Sequence, residues 1–129
     1  MDHISIPIAD TVATRTFYEA CLAPLGWRLR GIRNGHYVGF DKPGSPVLYF
    51  GVVEAPSRAH LAFVASNEEA VRGFFEAALA NGGTDNGAPG PRPSYGAEYY
   101  AAFVLDPDGH NVEAVVGGVH RAAGRSSAP

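Results

Sequence analysis

Apolar and polar residues alternate at the start of the chain. Three isoleucines, Ile4, Ile6 and Ile8, fall on one face of this segment, and His3 begins the other. A period of two predicts a strand from His3 to Ile8 that is buried on one side only.

Two helices are predicted from a longer period. Asp10 supplies an N-cap for a helix from about Thr11 to Leu25. The second helix begins after Ser66 or Asn67 and ends before Gly82-Gly83. Its apolar stripe has the spacing i, i+3, i+4, i+7, i+8 and consists of Val71, Phe74, Phe75, Ala78 and Leu79.

Strand-like runs separated by turn residues follow each helix. In the first half they span residues 27–32, 36–41 and 47–53, with Asn34-Gly35 as a hairpin signal. In the second half a loop rich in glycine and proline, 84–93, is predicted to hold one short strand, and the last strands span 99–105 and 111–116. Each half therefore reads β-α-β-β-β.

The two halves are diverged copies at an offset of 57 residues. His3 aligns with His60, and the offset also pairs Phe17 with Phe74, Leu22 with Leu79 and Gly26 with Gly83. A repeat of this length indicates one supersecondary unit used twice. Because such units commonly pack about a pseudo-two-fold axis, the repeat predicts that His3 and His60 lie near each other.

Length and composition set the organisation. The 129 residues suit one domain over residues 1–118, made of repeats at about 2–55 and 59–117 that Pro56-Ser57-Arg58 links. Residues 119–129 contain little apolar surface and are predicted to be a flexible tail.

Charge and hydropathy exclude several classes of partner. A net charge of −3 gives no indication of nucleic-acid binding. No apolar run approaches the length of about 18 residues that a membrane span needs, so we expect a cytoplasmic protein with no membrane partner. The single cysteine, Cys21, lies on the apolar side of the first helix, and an inert buried thiol is favoured over a nucleophile.

Two motifs extend this reading to a known family. The first is the His-x₆-Asp junction from His3 to Asp10; the second is the closing segment 106–113, Asp-Pro-Asp-Gly-His-Asn-Val-Glu. With the doubled βαβββ unit, they resemble the vicinal oxygen chelate superfamily over residues 2–116. That superfamily includes glyoxalase I, fosfomycin-resistance transferases, extradiol dioxygenases and bleomycin-resistance proteins. The resemblance implies an α+β fold in which both units form a strongly curved mixed sheet around a cavity, with the helices outside.

The resemblance also implies a ligand set for a divalent metal ion. First strands supply His3 and His60, and the last strand supplies Glu113. Aligning Asp41 with Asp106 gives an offset of 65, which places Leu48 opposite Glu113 and leaves the fourth position aliphatic. Imidazole and carboxylate ligands are compatible with Zn, Fe, Ni, Co or Mn.

Patterning favours the same three residues. His3 and His60 oppose the apolar faces of their strands, and a carboxylate such as Glu113 within an apolar strand is costly unless it is paired or bound to a cation. The alternatives are a surface His3 and a Glu113 on a solvent-facing edge strand. The remaining histidines, His36, His110 and His120, are predicted to be solvated.

Aromatic and cationic residues would shape the pocket, and the candidates for substrate contacts are Tyr37, Tyr49, Arg92, Tyr99 and Tyr100. The loop from Gly87 to Glu98 has the composition of a lid, although an ordinary surface loop fits as well. Glu98 is a candidate catalytic base.

Two functions follow from the resemblance. The first is a divalent-metal-dependent, glyoxalase-like enzyme, a lyase, isomerase or relative, whose small substrate chelates the metal through adjacent oxygens. The second is a metal-free small-molecule or drug-binding protein of the bleomycin-resistance type. A homodimer is expected in either case, since a curved sheet with open edges can pair with a second copy.

Overall fold

The computed structural model describes residues 1–119; residues 120–129, which include His120 and all but the first residue of the predicted tail, lie outside this range. The first repeat contains β1 (His3–Ile8), α1 (Thr11–Leu22), a 3₁₀ helix (Ala23–Leu25), β2 (Arg28–Arg33), β3 (Tyr37–Asp41) and β4 (Val47–Val52). The second repeat contains β5 (His60–Val64), α2 (Glu68–Ala80), β6 (Thr84–Asp85), β7 (Gly90–Pro91), β8 (Tyr100–Leu105) and β9 (Asn111–Val116).

Each repeat builds its own mixed sheet with the same strand order. The first sheet runs β1-β4-β3-β2, and the second runs β5-β9-β8-β6, with β7 also pairing with β8. In both sheets the first strand pairs in parallel with the last strand of its repeat, and the other pairings are antiparallel. The α+β class and the repeated unit are thus confirmed. Within the described residues, β1 and β5 are edge strands that pair on one side only.

The first helix is shorter than predicted. α1 ends at Leu22, and the next three residues form a 3₁₀ turn that closes at Gly26 with φ +89°. Pro24 explains the change, because it lacks the N–H that an α-helix would need and its ring crowds the preceding turn. In the second repeat, the glycine- and proline-rich loop contains two strands of two residues each, where the sequence predicts one.

Both helices pack on their own sheets and against each other. One hydrophobic core therefore includes residues of both repeats, among them Ile8, Phe17 and Phe50 from the first and Phe74 and Val112 from the second. No helix within residues 1–119 has the length and apolar character required to cross a membrane.

The turn between β8 and β9 joins the two repeats through hydrogen bonds of its side chains. The Tyr18 hydroxyl donates to Asp106 Oδ2 over 2.6 Å, and the Ala9 N–H donates to Asp108 Oδ1 over 3.0 Å. His110 is fully buried, so the prediction that it is solvated is wrong. Its Nδ1 accepts from the Ala59 N–H at 2.8 Å, and its Nε2 lies 2.7 Å from the carbonyl oxygen of Pro7. Both ring nitrogens are therefore hydrogen-bonded, so the imidazole is buried without leaving a polar atom unsatisfied.

Candidate functional site

His60 opens β5 and has a defined ring orientation. Its Nδ1 lies 3.1 Å from the backbone carbonyl oxygen of Asn111, which is its register partner on β9. Because a carbonyl oxygen only accepts hydrogen bonds, Nδ1 carries the proton and Nε2 is the nitrogen available for other chemistry. The ring stacks near Phe103 with centroids 6.4 Å apart and an interplanar angle of 18°.

Glu113 lies in the middle of β9 and is 2% exposed. Its two carboxylate oxygens have different partners: Oε1 is 3.1 Å from Nε2 of His60, and Oε2 accepts a hydrogen bond from the Tyr99 hydroxyl. Burial, together with the hydrogen bond to Glu113, raises the pKa of Tyr99 to about 12. Tyr99 is therefore a neutral donor throughout the physiological pH range.

The contact between Nε2 of His60 and Oε1 of Glu113 requires a proton or a cation between the two atoms. With the proton on Nδ1, a neutral imidazole would point its Nε2 lone pair at a carboxylate oxygen, which is repulsive. Either a second proton or a metal cation must lie between the two atoms. The 3.1 Å separation fits a shared cation, because metal–ligand bonds of about 2.0–2.2 Å that meet at roughly 90–110° place N and O about 2.8–3.6 Å apart. The donor set thus fits a divalent metal.

The surroundings leave room beside this pair. Ala62 lies directly across from Glu113 on β5, and Phe103 lies across from it on β8. The methyl group of Ala62 fills little space, and both Ala62 and His60 are exposed. The Glu113 carboxylate is consequently buried, whereas the His60 ring can be approached from solvent.

Arg92 fixes the loop that borders the site. Its guanidinium donates to the carbonyl oxygens of Ala88 and Gly90 at 2.7 and 2.9 Å and lies 5.5 Å from the centre of the Phe103 ring. The backbone N–H of Arg92 also donates to the carbonyl oxygen of Tyr99 at 2.8 Å. The arginine proposed as a substrate contact is therefore engaged in holding its own loop against β8.

The structure places His3 apart from this pair. Its Nδ1 lies 2.7 Å from Asp2 Oδ2, and its side chain is 54% exposed. Among residues 1–119, no third histidine, cysteine or acidic ligand atom lies within 4.8 Å of both His60 and Glu113. One chain therefore brings together two of the three predicted ligands.

The position equivalent to Glu113 in the first repeat is a tyrosine. His60 pairs with Asn111 and Ala62 with Glu113, whereas His3 pairs with Val47 and Ser5 with Tyr49. The repeat offset in the last strand is thus 64.

The inference that Leu48 opposes Glu113 is wrong. Asp41 is the last residue of β3, whereas Asp106 follows β8, so aligning the two aspartates shifts the register by one residue. A shift of one residue moves every side chain to the other face. Leu48 is buried in the core, and the Tyr49 ring contacts His3 edge-on at 5.9 Å.

The other predicted pocket residues lie in different places. Tyr37 packs edge-on against Tyr49 at 5.8 Å, on the His3 face of the first sheet. The Tyr100 hydroxyl accepts from Arg72 of α2 at 3.3 Å, so Tyr100 points to the helix side of the second sheet, away from Glu113. Glu98 is exposed and directly precedes Tyr99.

A second group of potential metal ligands is present in the β8–β9 turn. Asp106, Asp108 and His110 each offer a ligand atom within 4.8 Å of the others. This spacing could accommodate a cation, but both nitrogens of His110 are hydrogen-bonded to backbone groups. A metal would have to displace one of those bonds, whereas Glu113 is the one partner that Nε2 of His60 has among residues 1–119.

A groove of about 400 Å³ runs along the unpaired edge of β5, beside His60. Its walls are mainly apolar and include Ile4, Trp27, Leu48 and Phe63, with Lys42 at the margin. A larger depression, about 570 Å³, lies between the 3₁₀ helix and α2 and contains none of the predicted site residues.

Sequence comparison identifies the family. The model of the Glyoxalase/Bleomycin resistance protein/Dioxygenase superfamily matches residues 1–114. The chain belongs to this superfamily. Members of the Glyoxalase/Bleomycin resistance protein/Dioxygenase superfamily typically bind a divalent metal and act on or bind small molecules. None of the curated proteins matches the sequence.

Solved structures of the superfamily share the fold over nearly the whole chain. A glyoxalase/bleomycin resistance protein from Albidiferax ferrireducens T118 is 26% identical, with a TM-score of 0.76, covering 89% of this chain and 96% of its own. A glyoxalase-related enzyme from Fulvimarina pelagi is also 26% identical, with a TM-score of 0.72 and coverages of 95% and 98%. A lactoylglutathione lyase from Agrobacterium tumefaciens shares the fold at 21% identity, with a TM-score of 0.65 and coverages of 91% and 92%.

Proposed function

We propose that this protein is a divalent-metal-dependent, glyoxalase-like enzyme whose metal is held by His60 and Glu113. The observation that carries the proposal is the hydrogen bond from His60 Nδ1 to Asn111, which leaves Nε2 facing a buried carboxylate oxygen at 3.1 Å. Metal-binding histidines are commonly oriented in this way by a backbone carbonyl on the other nitrogen.

Each residue near the pair has a part in this proposal. Asn111 selects the tautomer of His60, Phe103 supports one face of the imidazole, and Tyr99 holds the carboxylate of Glu113. When bound, a divalent cation would supply Lewis acidity toward two adjacent oxygens of a small substrate. The exposed side of His60 is where such a substrate would approach, and the apolar groove beside it suits the body of the molecule. The base remains a prediction, with Glu98 as the candidate.

We further propose that a second copy of the chain supplies His3 as the third ligand. Both histidine side chains are about half exposed, at 54% for His3 and 51% for His60, and they begin strands with unpaired edges. Two such edges allow a homodimer to form by strand pairing or by face-to-face packing.

Metal titration of four chains tests both parts of this proposal. Wild-type protein is expected to bind about one Co²⁺ or Zn²⁺ per chain, and His60→Ala and His3→Ala are expected to lose most of the affinity. His36→Ala is the matched control, because His36 is exposed in the β2–β3 turn and should bind as wild type does.

Mixing the two defective variants locates the third ligand. If His3 and His60 come from different copies, a His3→Ala/His60→Ala heterodimer has one site with both histidines intact and regains binding. If each site lies within one chain, the mixture stays defective, and the shared-site proposal fails. Full binding by His60→Ala alone would refute the metal site itself.

A metal-free binding protein is the second candidate function. The observation in its favour is that a proton shared between Nε2 of His60 and Oε1 of Glu113 would satisfy both atoms while Tyr99 satisfies Oε2, so the site is complete without a metal ion. This alternative predicts no stoichiometric metal binding under any loading condition, together with retention of an apolar small molecule in the groove beside β5.

A further inference from the structure

Tyr99 was a candidate for substrate contact on sequence grounds, but its hydroxyl is already committed. It donates to Oε2 of Glu113, the oxygen that does not face His60. The two oxygens of the Glu113 carboxylate therefore have different partners: one accepts from a neutral phenol, and the other faces Nε2 of His60. A carboxylate held in this way is expected to offer a metal one oxygen and not two.

The position of Tyr99 is set by its backbone on two sides. Its carbonyl oxygen accepts from the Arg92 N–H at 2.8 Å, within the loop that Arg92 anchors. On the other side, Gly117 has φ +79°, and a Cβ on it would lie only 2.1 Å from the carbonyl oxygen of Glu98. Only glycine permits this approach, which brings the Glu98–Tyr99 segment against the end of β9.

The Tyr99 ring is also packed in place. It lies edge-on to Tyr95, with centroids 5.3 Å apart, and the backbone of Gly118, which has no side chain, passes close to it. Because backbone and ring are both constrained, the hydroxyl reaches Glu113 from a fixed direction. Rotation of the carboxylate would break this bond and leave a buried oxygen without a donor.

We propose that Tyr99 is a positioning residue, which holds Oε2 of Glu113 so that Oε1 is presented to His60 and to the cation that these two residues would hold. This inference rests on the proposed metal site and adds a residue that acts through Glu113. The phenol has no direct contact with the metal or the substrate in this account.

Cation affinity in the wild type and two variants provides the first test. Tyr99→Phe removes one hydroxyl and is expected to weaken Co²⁺ binding, measured by calorimetry, about tenfold or more, as loss of a partner of a metal ligand commonly does. Tyr95→Phe is the matched control, because it removes a hydroxyl from the neighbouring ring, which is 65% exposed. Its affinity should equal that of the wild type.

A double-mutant cycle separates positioning from a general structural effect. If Tyr99 acts through Glu113, the Tyr99→Phe/Glu113→Gln protein binds no more weakly than Glu113→Gln alone. If the two losses multiply, Tyr99 does not act through Glu113 and the proposal is wrong. Unchanged affinity in Tyr99→Phe would overturn it equally.

Proton NMR of the metal-free protein tests the hydrogen bond between Tyr99 and Glu113 independently of metal binding. A phenol bound to a buried carboxylate should give a slowly exchanging downfield hydroxyl resonance that is lost in both Tyr99→Phe and Glu113→Gln. If the wild type binds no cation but shows this resonance, the metal site fails and the Tyr99–Glu113 pairing stands. If the resonance is absent, the positioning role is refuted whatever the metal result.

Discussion

The hydroxyl of Tyr18 should contribute measurably to stability, because it ties α1 to the turn before β9. It donates to Asp106 Oδ2 over 2.6 Å in a fully buried setting, and burial raises the pKa of Tyr18 well above its usual value of 10.0. The other oxygen of Asp106 accepts from the N–H groups of Asp108 and His110, so Oδ2 depends on Tyr18. Tyr18→Phe would leave that oxygen buried without its donor.

The expected loss follows from the type of bond. Phenylalanine preserves the stacking of this ring on Phe50, at 4.2 Å between centroids, and its edge contact with Phe17 at 4.7 Å. The change therefore isolates the hydroxyl. A buried hydrogen bond to a charged group is worth about 2 kcal/mol, which in a chain of this size corresponds to a fall in Tm of roughly 8 °C.

Urea unfolding monitored by circular dichroism, with calorimetry for Tm, measures the loss. Tyr37→Phe is the control, because Tyr37 is 39% exposed and its substitution should change the free energy of unfolding by less than about 0.5 kcal/mol. If Tyr18→Phe falls within the same limit, the turn does not depend on this bond, and the argument that it links the repeats is refuted.

Three further predictions concern other parts of the molecule. Gly117→Ala should destabilise the protein more than Gly35→Ala. The φ angles of the two glycines are similar, +79° and +77°, but of the two added Cβ atoms only the one on Gly117 would meet backbone atoms. Equal unfolding free energies for the two variants would refute the close approach. Burial raises the pKa of the Cys21 thiol, so it should react with a thiol reagent only at the rate of unfolding; rapid reaction of native protein would contradict this. Because the pKa of Tyr99 is raised from 10.0 to about 12, its stabilising contribution is present below pH 10 and is lost as pH rises to about 12. Tyr99→Phe should lose less stability than wild type over that range, and identical pH profiles would contradict this prediction.

Periodicity and repetition in the sequence predict the helices and long strands well, because these features depend on local patterning. The strand from Asn111 to Val116 has the predicted bounds, and Asp10 caps α1 as predicted, accepting from the Val12 N–H at 3.0 Å. The end of α1 could have been predicted from Pro24, whose missing N–H is visible in the sequence.

Contacts between residues far apart in the chain could not be predicted from the sequence. His110 is buried because Pro7 and Ala59 satisfy its ring, and these partners are 103 and 51 residues away in the chain. Leu48 takes the place of Tyr49 opposite Glu113 in the sequence alignment because turn aspartates are aligned there in place of strand ends. The pairing of Tyr99 with Glu113 was also missed, since it depends on the path of a loop whose composition does not fix its course.

The contact between His60 and Glu113 is the part of the candidate site that the sequence predicts. His60 and Glu113 could be paired because both break the apolar pattern of their strands, and parallel pairing of β5 with β9 brings them together. The role of the Asn111 backbone carbonyl could not be predicted from the sequence, since every residue has a backbone carbonyl. Whether His3 joins them depends on how two chains assemble, and the predicted third ligand stays a prediction.

Anomalous X-ray scattering from crystals grown with Co²⁺ or Mn²⁺ would locate a bound cation. One strong peak per chain is expected within about 2.2 Å of both Nε2 of His60 and Oε1 of Glu113. No peak at that position, or a peak held by Asp106, Asp108 and His110 in its place, would contradict the proposed metal site.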